Sequence, residues 1–212
     1  MTKLTNIVLA TTNRGKLAEL QKLFASINVE LTSLADYPTV PEAIEDGDTF
    51  KVNARQKAVH YSALLHQPVL ADDSGLEVLA LNGAPGVYSA RYSGSTPMPR
   101  IERDTLNNKK LLSALQDVAP KNRHARFYCG LCLCDAIGNV LVEVAGTLDG
   151  FISNTYKGEN GFGYDPLFYI PSLNKHAAEL SKAEKSNISH RGAAFERFID
   201  AIDKINAIDS IK

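Results

Sequence analysis

Two short apolar runs, each ending in a cluster of polar loop formers, constrain this chain more than any other feature. Ile7-Val8-Leu9-Ala10 stops at Thr11-Thr12-Asn13-Arg14-Gly15, after which Leu17, Leu20, Phe24 and Ile27 recur at helical spacing. That pattern is strand, loop, helix. The acidic loop Glu45-Asp46-Gly47-Asp48 leads into good helix formers from Phe50 to Leu65, with Asp48 or Thr49 as the cap and Pro68 beyond the end. Val69-Leu70-Ala71 then reads as a second buried strand, and the turn formers Asp72-Asp73-Ser74-Gly75 predict that it ends there. Strands alternating with helices in this way point to an α/β sheet.

Further along, Gly83, Pro85, Gly86 and Ser93 to Pro97 mark irregular loops, and Thr105 to Leu115 reads as another helix. Phe127 to Cys134 and Val140 to Ala145 flank Asp135-Ala136-Ile137-Gly138-Asn139 as a hairpin, so the sheet is expected to be mixed. Phe195, Phe198, Ile199, Ile202 and Ile205 form the apolar stripe of a C-terminal helix. At 212 residues, without a linker or repeat, the chain is expected to be one folding unit over 1–212.

Composition narrows the partners. A formal net charge of −1 argues against a surface built to track a nucleic-acid backbone, so any phosphate site should be local. No apolar stretch is long enough to span a bilayer, and the residues after Met1 are too polar for a signal peptide; a cytoplasmic protein is expected. Cys129, Cys132 and Cys134 crowd into one strand-like run. They read as small core residues in a reducing compartment, since no second pair at zinc spacing follows.

Five segments carry groups suited to chemistry. Thr11, Thr12, Asn13, Arg14, Gly15 and Lys16 join a strand to a helix start, where free N–H groups, hydroxyls and an ammonium can hold an anion; an ordinary N-capped helix has the same pattern. Glu45 precedes Asn53 and Lys57, which share one helix face and either grip phosphate oxygens or form a solvated face. Asp72 and Asp73 follow a buried strand together, and adjacent carboxylates that are partly buried call for a cation, a proton or a basic partner; oxygen ligands of this type suit Mg²⁺, and a surface turn is the alternative. Gly161-Phe162-Gly163-Tyr164-Asp165-Pro166 is a turn that can also present an aromatic ring to a flat base. Ser181 and Glu184 have capping-box spacing at the start of a basic stretch containing Lys182, Lys185, His190 and Arg191, a density of charge that a merely decorated surface shares.

Together these segments, with Gly83-Ala84-Pro85-Gly86-Val87-Tyr88-Ser89-Ala90-Arg91-Tyr92, resemble the Ham1-type inosine triphosphate pyrophosphatase family, the non-canonical purine nucleotide pyrophosphatases. The resemblance spans nearly the whole chain. It implies a long twisted mixed sheet flanked by helices, two lobes with a central active-site cleft, a homodimer, and Mg²⁺-dependent hydrolysis of ITP, dITP or XTP to the monophosphate and pyrophosphate. It also implies Asp73 as general base and metal ligand, Glu45 as a second metal ligand and Ser74 as a substrate contact. Thr11 to Lys16, Asn53 and Lys57 would hold the phosphates. Phe162, Gly163, Tyr164, Asp165, Lys185, His190 and Arg191 would form the nucleoside pocket, with donors near His190 and Arg191 meeting the 6-oxo group. The cysteines and the loop Ser95 to Arg100 fall outside the family motifs, and neither is expected to touch a site residue. Two rivals remain: a Maf-type pyrophosphatase, against which residues 181–192 argue, and a non-catalytic nucleotide- or RNA-binding protein, which would leave the Asp72-Asp73 pair without a task.

Overall fold

The computed structural model describes residues 6–27, 29–37, 40–94 and 96–209. Among them a seven-stranded mixed sheet runs in the order β2-β1-β3-β4-β5-β6-β7. Its strands are β1 (Asn6–Leu9), β2 (Glu30–Ser33), β3 (Val69–Val78), β4 (His124–Cys134), β5 (Val140–Ile152), β6 (Phe168–Ile170) and β7 (Lys175–His176). The helices are α1 (Arg14–Phe24), α2 (Phe50–Leu65), α3 (Arg100–Ala114), α4 (Lys182–Ile188) and α5 (His190–Asp209). No helix among the described residues is long and apolar enough to cross a membrane.

The chain divides into two compact units. The first comprises Met1–Asp73, Cys129–Gly146 and His190–Lys212; the second comprises Ser74–Tyr128 and Thr147–Ser189.

In the first unit β1 pairs in parallel with β2 and with β3, in the register Val8↔Val69 and Leu9↔Leu70. Side chains alternate across a strand, so each strand feeds two cores. Ile7, Leu9, Leu70, Cys129, Leu131 and Leu133 pack with Leu20 and Phe24 of α1 and with Phe195 and Phe198 of α5. Val8, Ala10, Val69, Ala71, Cys132 and Cys134 pack with Ala54, Ala58 and Tyr61 of α2. All three cysteines are buried and free, as the core reading expected. The Ile205 side chain, last of the expected α5 stripe, lies outside the described residues.

The second unit encloses its own core, in which Leu76 and Val78 of β3 and Leu111 and Leu115 meet Phe127, Leu167 and Phe168. Here β5 pairs with β6, and β6 with β7, all antiparallel.

Local signals account for the element starts and stops. Thr49 caps α2 by accepting the Val52 N–H at 3.2 Å, and the helix ends at His66 in the left-handed region. The Ser181–Glu184 capping box that opens α4 is closed in both directions.

Two expectations are corrected. α3 begins at Arg100, five residues before Thr105, whose hydroxyl donates to the Ile101 carbonyl at 2.8 Å and so sits inside the helix rather than at its start. β3 does not end at Asp72; it continues through Asp72-Asp73-Ser74-Gly75 to Val78. Burial and ion pairing there outweigh the turn preference of those residues.

Candidate functional site

The polar centre of the first unit forms where β1 stops and β3 continues. β1 ends at Leu9 opposite Leu70, the Ala10 N–H donates to the Leu70 carbonyl at 2.8 Å, and β3 carries on into Asp72 and Asp73. α1 starts beside this point, after the loop Thr11–Asn13.

The period of two sends the paired aspartates to opposite faces of the sheet. Asp72 follows Leu70 toward α1 and α5; it is fully buried and meets Lys16 of α1 at 3.0 Å and Arg191 of α5 at 3.9 Å. Burial raises a carboxyl pKa, yet Lys16, Arg191 and Lys57 together hold Asp72 below the ordinary aspartate value. Arg191 also pairs with Glu19 at 2.7 Å.

Asp73 follows Ala71 toward α2, where Asn53 donates to its Oδ2 at 3.0 Å. Here burial prevails over Lys16, Lys57 and Asn53, and Glu45 adds to it, so the Asp73 pKa is raised. The two neighbours are therefore shifted in opposite directions.

Lys57 links the parts. Its ammonium donates to the Asp72 carbonyl at 3.1 Å and pairs with Glu45 at 2.7 Å. Burial lowers the Lys57 pKa, but Asp72, Asp73 and Glu45 outweigh it and leave it raised. Asn53 meanwhile accepts the Gly47 N–H at 2.8 Å, tying the acidic loop to α2. The buried positions of Asn53 and Lys57 replace the solvated-face alternative. Among the described residues, this centre brings the carboxylates of Glu19, Glu45, Asp72 and Asp73 together with the cations Lys16, Lys57 and Arg191.

The phosphate loop differs in one respect from expectation. Asn13 caps α1 by accepting from the N–H groups of Gly15 and Lys16 at 3.0 and 3.3 Å, so those donors are already engaged. Thr11 is buried, with its hydroxyl accepting the Asn13 N–H, whereas Thr12 is exposed. The Arg14 side chain lies outside the described residues.

The second unit holds the aromatic loop. Asp165 is buried; its Oδ2 accepts the Phe162 N–H at 2.7 Å and the Lys185 ammonium at 2.5 Å. Tyr164 turns into the core instead of outward, and its hydroxyl donates to the Ser89 carbonyl at 2.8 Å. Burial pushes its pKa well above the usual tyrosine range. Ser74 belongs to this unit as a half-buried residue of β3.

The expectation that the Ser95–Arg100 loop avoids site residues is overturned: the Arg100 guanidinium lies 4.1 Å from the centre of the Phe162 ring, with the Lys185 ammonium at 5.1 Å. Asp104 and Asn108 hold Gly163, one accepting its N–H at 2.9 Å and the other donating to its carbonyl at 2.8 Å. The four-residue spacing of Arg100, Asp104 and Asn108 signals this arrangement once α3 is known to start at Arg100. Of the expected nucleoside residues, Phe162, Gly163, Tyr164, Asp165 and Lys185 fall in the second unit, and the buried His190 and Arg191 in the first.

An open mixed sheet flanked by helices, with a buried carboxylate–lysine centre where β1 ends, defines an α/β protein of the ligand-binding kind, its polar groups gathered beyond a strand terminus. The chain belongs to the Ham1 family, which it matches over residues 7–201. It is 48% identical over 196 residues to the dITP/XTP pyrophosphatase of Exiguobacterium sibiricum, covering 92% of this chain and 96% of that protein. The dITP/XTP pyrophosphatase of Bacillus cereus is 46% identical, with 95% and 97% covered. A solved HAM1 protein from Coxiella burnetii superposes with a TM-score of 0.83 at 39% identity, covering 94% of this chain and 98% of that one.

Proposed function

We propose that the protein hydrolyses non-canonical purine nucleoside triphosphates (ITP, dITP and XTP) to the monophosphate and pyrophosphate, with Mg²⁺ as cofactor. The observation that carries the reading is the union of Asp73, Asn53, Lys57 and Glu45 in one partly buried centre. The relatives named dITP/XTP pyrophosphatase support the substrate class.

The donor set fits Mg²⁺. Among the described residues no three His, Cys, Asp or Glu side chains gather into a complete metal cage. Mg²⁺ does not need one, because it takes one or two carboxylates and fills its shell with water and substrate phosphates. Asp73 and Glu45, which reach the same centre through Asn53 and Lys57, would hold it. When bound, Mg²⁺ supplies neutralisation of the triphosphate charge.

Asp73, more basic than an ordinary aspartate, takes the proton of the attacking water. The water oxygen bonds to the α-phosphorus, the α–β anhydride bond breaks, and Lys16 and Lys57 stabilise the leaving pyrophosphate. Thr12 and the loop to Lys16 hold the polyphosphate. Asp72 remains ionised and keeps Lys16 and Arg191 in place.

Phe162 serves as the platform for the base, beside Gly163, Asp165 and Lys185 of the second unit. A guanidinium has five N–H donors, so the contacts of Arg191 with Glu19 and Asp72 are compatible with a further bond to ligand. The same reading includes one bilobal domain over 1–212, a cytoplasmic location and a homodimer.

The test is a nucleotide panel of ITP, dITP, XTP, ATP and GTP with Mg²⁺, scored for monophosphate and pyrophosphate. Release of orthophosphate instead, or equal turnover of ATP and ITP, refutes the proposal.

A further inference from the structure

α3 changes character along one face. Arg100, Asp104 and Asn108 recur every four residues and so share a side of the helix, and the stripe continues into Leu111 and Leu115, which are fully buried in the core. The apolar end packs. The polar end instead engages the loop that carries Phe162, residue by residue.

Asn108 is buried, and its amide donates to the Gly163 carbonyl at 2.8 Å, while Asp104 accepts the Gly163 N–H at 2.9 Å. Both backbone groups of one residue are thus held from one helix. Gly163 sits at φ 63°, in the left-handed region, so these two bonds secure a conformation that swings the chain sharply just after Phe162. Arg100 completes the grip by lying 4.1 Å over the Phe162 ring, and its Nε is 3.6 Å from Asp104. From the other side of the loop, Asp165 accepts the Phe162 N–H. Polar groups spent on a loop in this way confer orientation more than stability, since an apolar stripe would pack at least as well.

We propose that the polar stripe Arg100, Asp104 and Asn108 of α3 is a positioning device that sets the Phe162 ring for a purine base and thereby contributes to substrate selection. The proposal rests on the reading of Phe162 as the base platform. These three residues act through the loop and not on the phosphates, so their loss should weaken recognition of the base and leave the polyphosphate end untouched.

The experiment measures KM and kcat for ITP and the inhibition constant of inorganic triphosphate in Arg100→Ala, Arg100→Lys, Asp104→Ala, Asp104→Asn and Asn108→Ala, with melting temperature as a check on folding. Arg100→Ala and Asp104→Ala are expected to raise KM for ITP about threefold to thirtyfold, the range of a lost cation–π or hydrogen-bond contact, with the change confined to KM and the triphosphate constant unaltered. Asp104→Asn retains an oxygen for the Gly163 N–H and should recover most of the loss, as Arg100→Lys should recover part. A KM for ITP that stays at the wild-type value, or one that rises together with the triphosphate constant, overturns the proposal. Phe162→Ala separates the two levels: if it leaves KM unchanged the platform reading fails, whereas a raised KM with silent α3 variants removes only the positioning device.

Discussion

Gly146 and Gly130 offer a graded test of how the first unit brings its helix ends onto the sheet. A Cβ added at Gly146 would lie 2.2 Å from the Ala194 nitrogen and 2.3 Å from the His190 carbonyl oxygen, all rigid backbone of the first turn of α5. Ordinary contact begins near 3.4 Å, so the helix start would have to retreat by more than an ångström. Gly146 is not in the left-handed region, so backbone conformation contributes nothing and the cost is overlap alone. Overpacking of this severity costs about 3 kcal/mol or more, which for a chain of this length lowers Tm by about 6–12 °C. Gly130 is the comparison, because a Cβ there meets the Lys51 and Phe50 backbone at 3.3 Å and needs a shift of only tenths of an ångström. Gly130→Ala should cost less than about 1 kcal/mol. Arg191 stands on the displaced turn, 3.9 Å from Asp72, so Gly146→Ala should also lose pyrophosphatase activity in the surviving folded fraction. Thermal denaturation followed by circular dichroism decides the matter. Equal Tm values for the two variants, or a Gly146→Ala protein as stable as wild type, would refute the steric argument.

Asp73→Asn should lower kcat for ITP by about 10²-fold or more while Tm holds or rises, because it removes a carboxylate whose ionisation burial opposes; near-normal turnover would remove Asp73 as base. Asp72→Asn should instead destabilise by about 3 kcal/mol at neutral pH, leaving Lys16 and Arg191 short of a buried partner. The folded-state pKa of Asp72 is depressed, so its stabilisation is present above the ordinary aspartate value and disappears as pH falls through the folded value. The Tm gap between wild type and Asp72→Asn should therefore narrow in acid, and a gap independent of pH would contradict the assignment. Chelation should abolish ITP hydrolysis and Mg²⁺ restore it; activity persisting in excess chelator would exclude the metal role. The three buried cysteines should resist a thiol reagent in the native protein and all react after unfolding, with the Cys129 thiol pushed up to about 12 by burial; rapid native labelling would show that the strand opens.

Much of this molecule is written locally. β1, α1, α2, the 135–139 hairpin and α4 were legible because each has a strong local pattern or a terminal signal: Thr49 and the Ser181–Glu184 box both cap where the chain shows them. β6 and β7 left no comparable trace, since strands of three and two residues contain too few positions to show a period, and β2, as short as β1, lacks the unbroken apolar run that marks β1. The start of α3 is hidden because Arg100 to Asp104 carries few apolar positions, and only the fold shows Thr105 inside the helix with its hydroxyl turned back on Ile101. The site residues were recognisable as types, but their grouping was not: Tyr164 looks like a pocket aromatic until the core of the second unit takes it.

The Asp72-Asp73 pair shows why grouping is the harder problem. Read along the chain, two adjacent acids are one feature, a turn or a metal ligand pair. In a strand they are two features, because successive side chains face opposite ways. Asp72 inherits the face of Leu70 and finds Lys16 and Arg191; Asp73 inherits the face of Ala71 and finds Asn53. Their opposite pKa shifts follow from those faces and not from their identity. A register shift of one residue in β3 would exchange their roles, placing Asp73 between the two cations as the low-pKa carboxylate and Asp72 toward α2 as the more basic one. The apolar alternation of Val69, Leu70 and Ala71, locked to Val8 and Leu9 of β1, is therefore as much a determinant of the proposed chemistry as the carboxylates themselves.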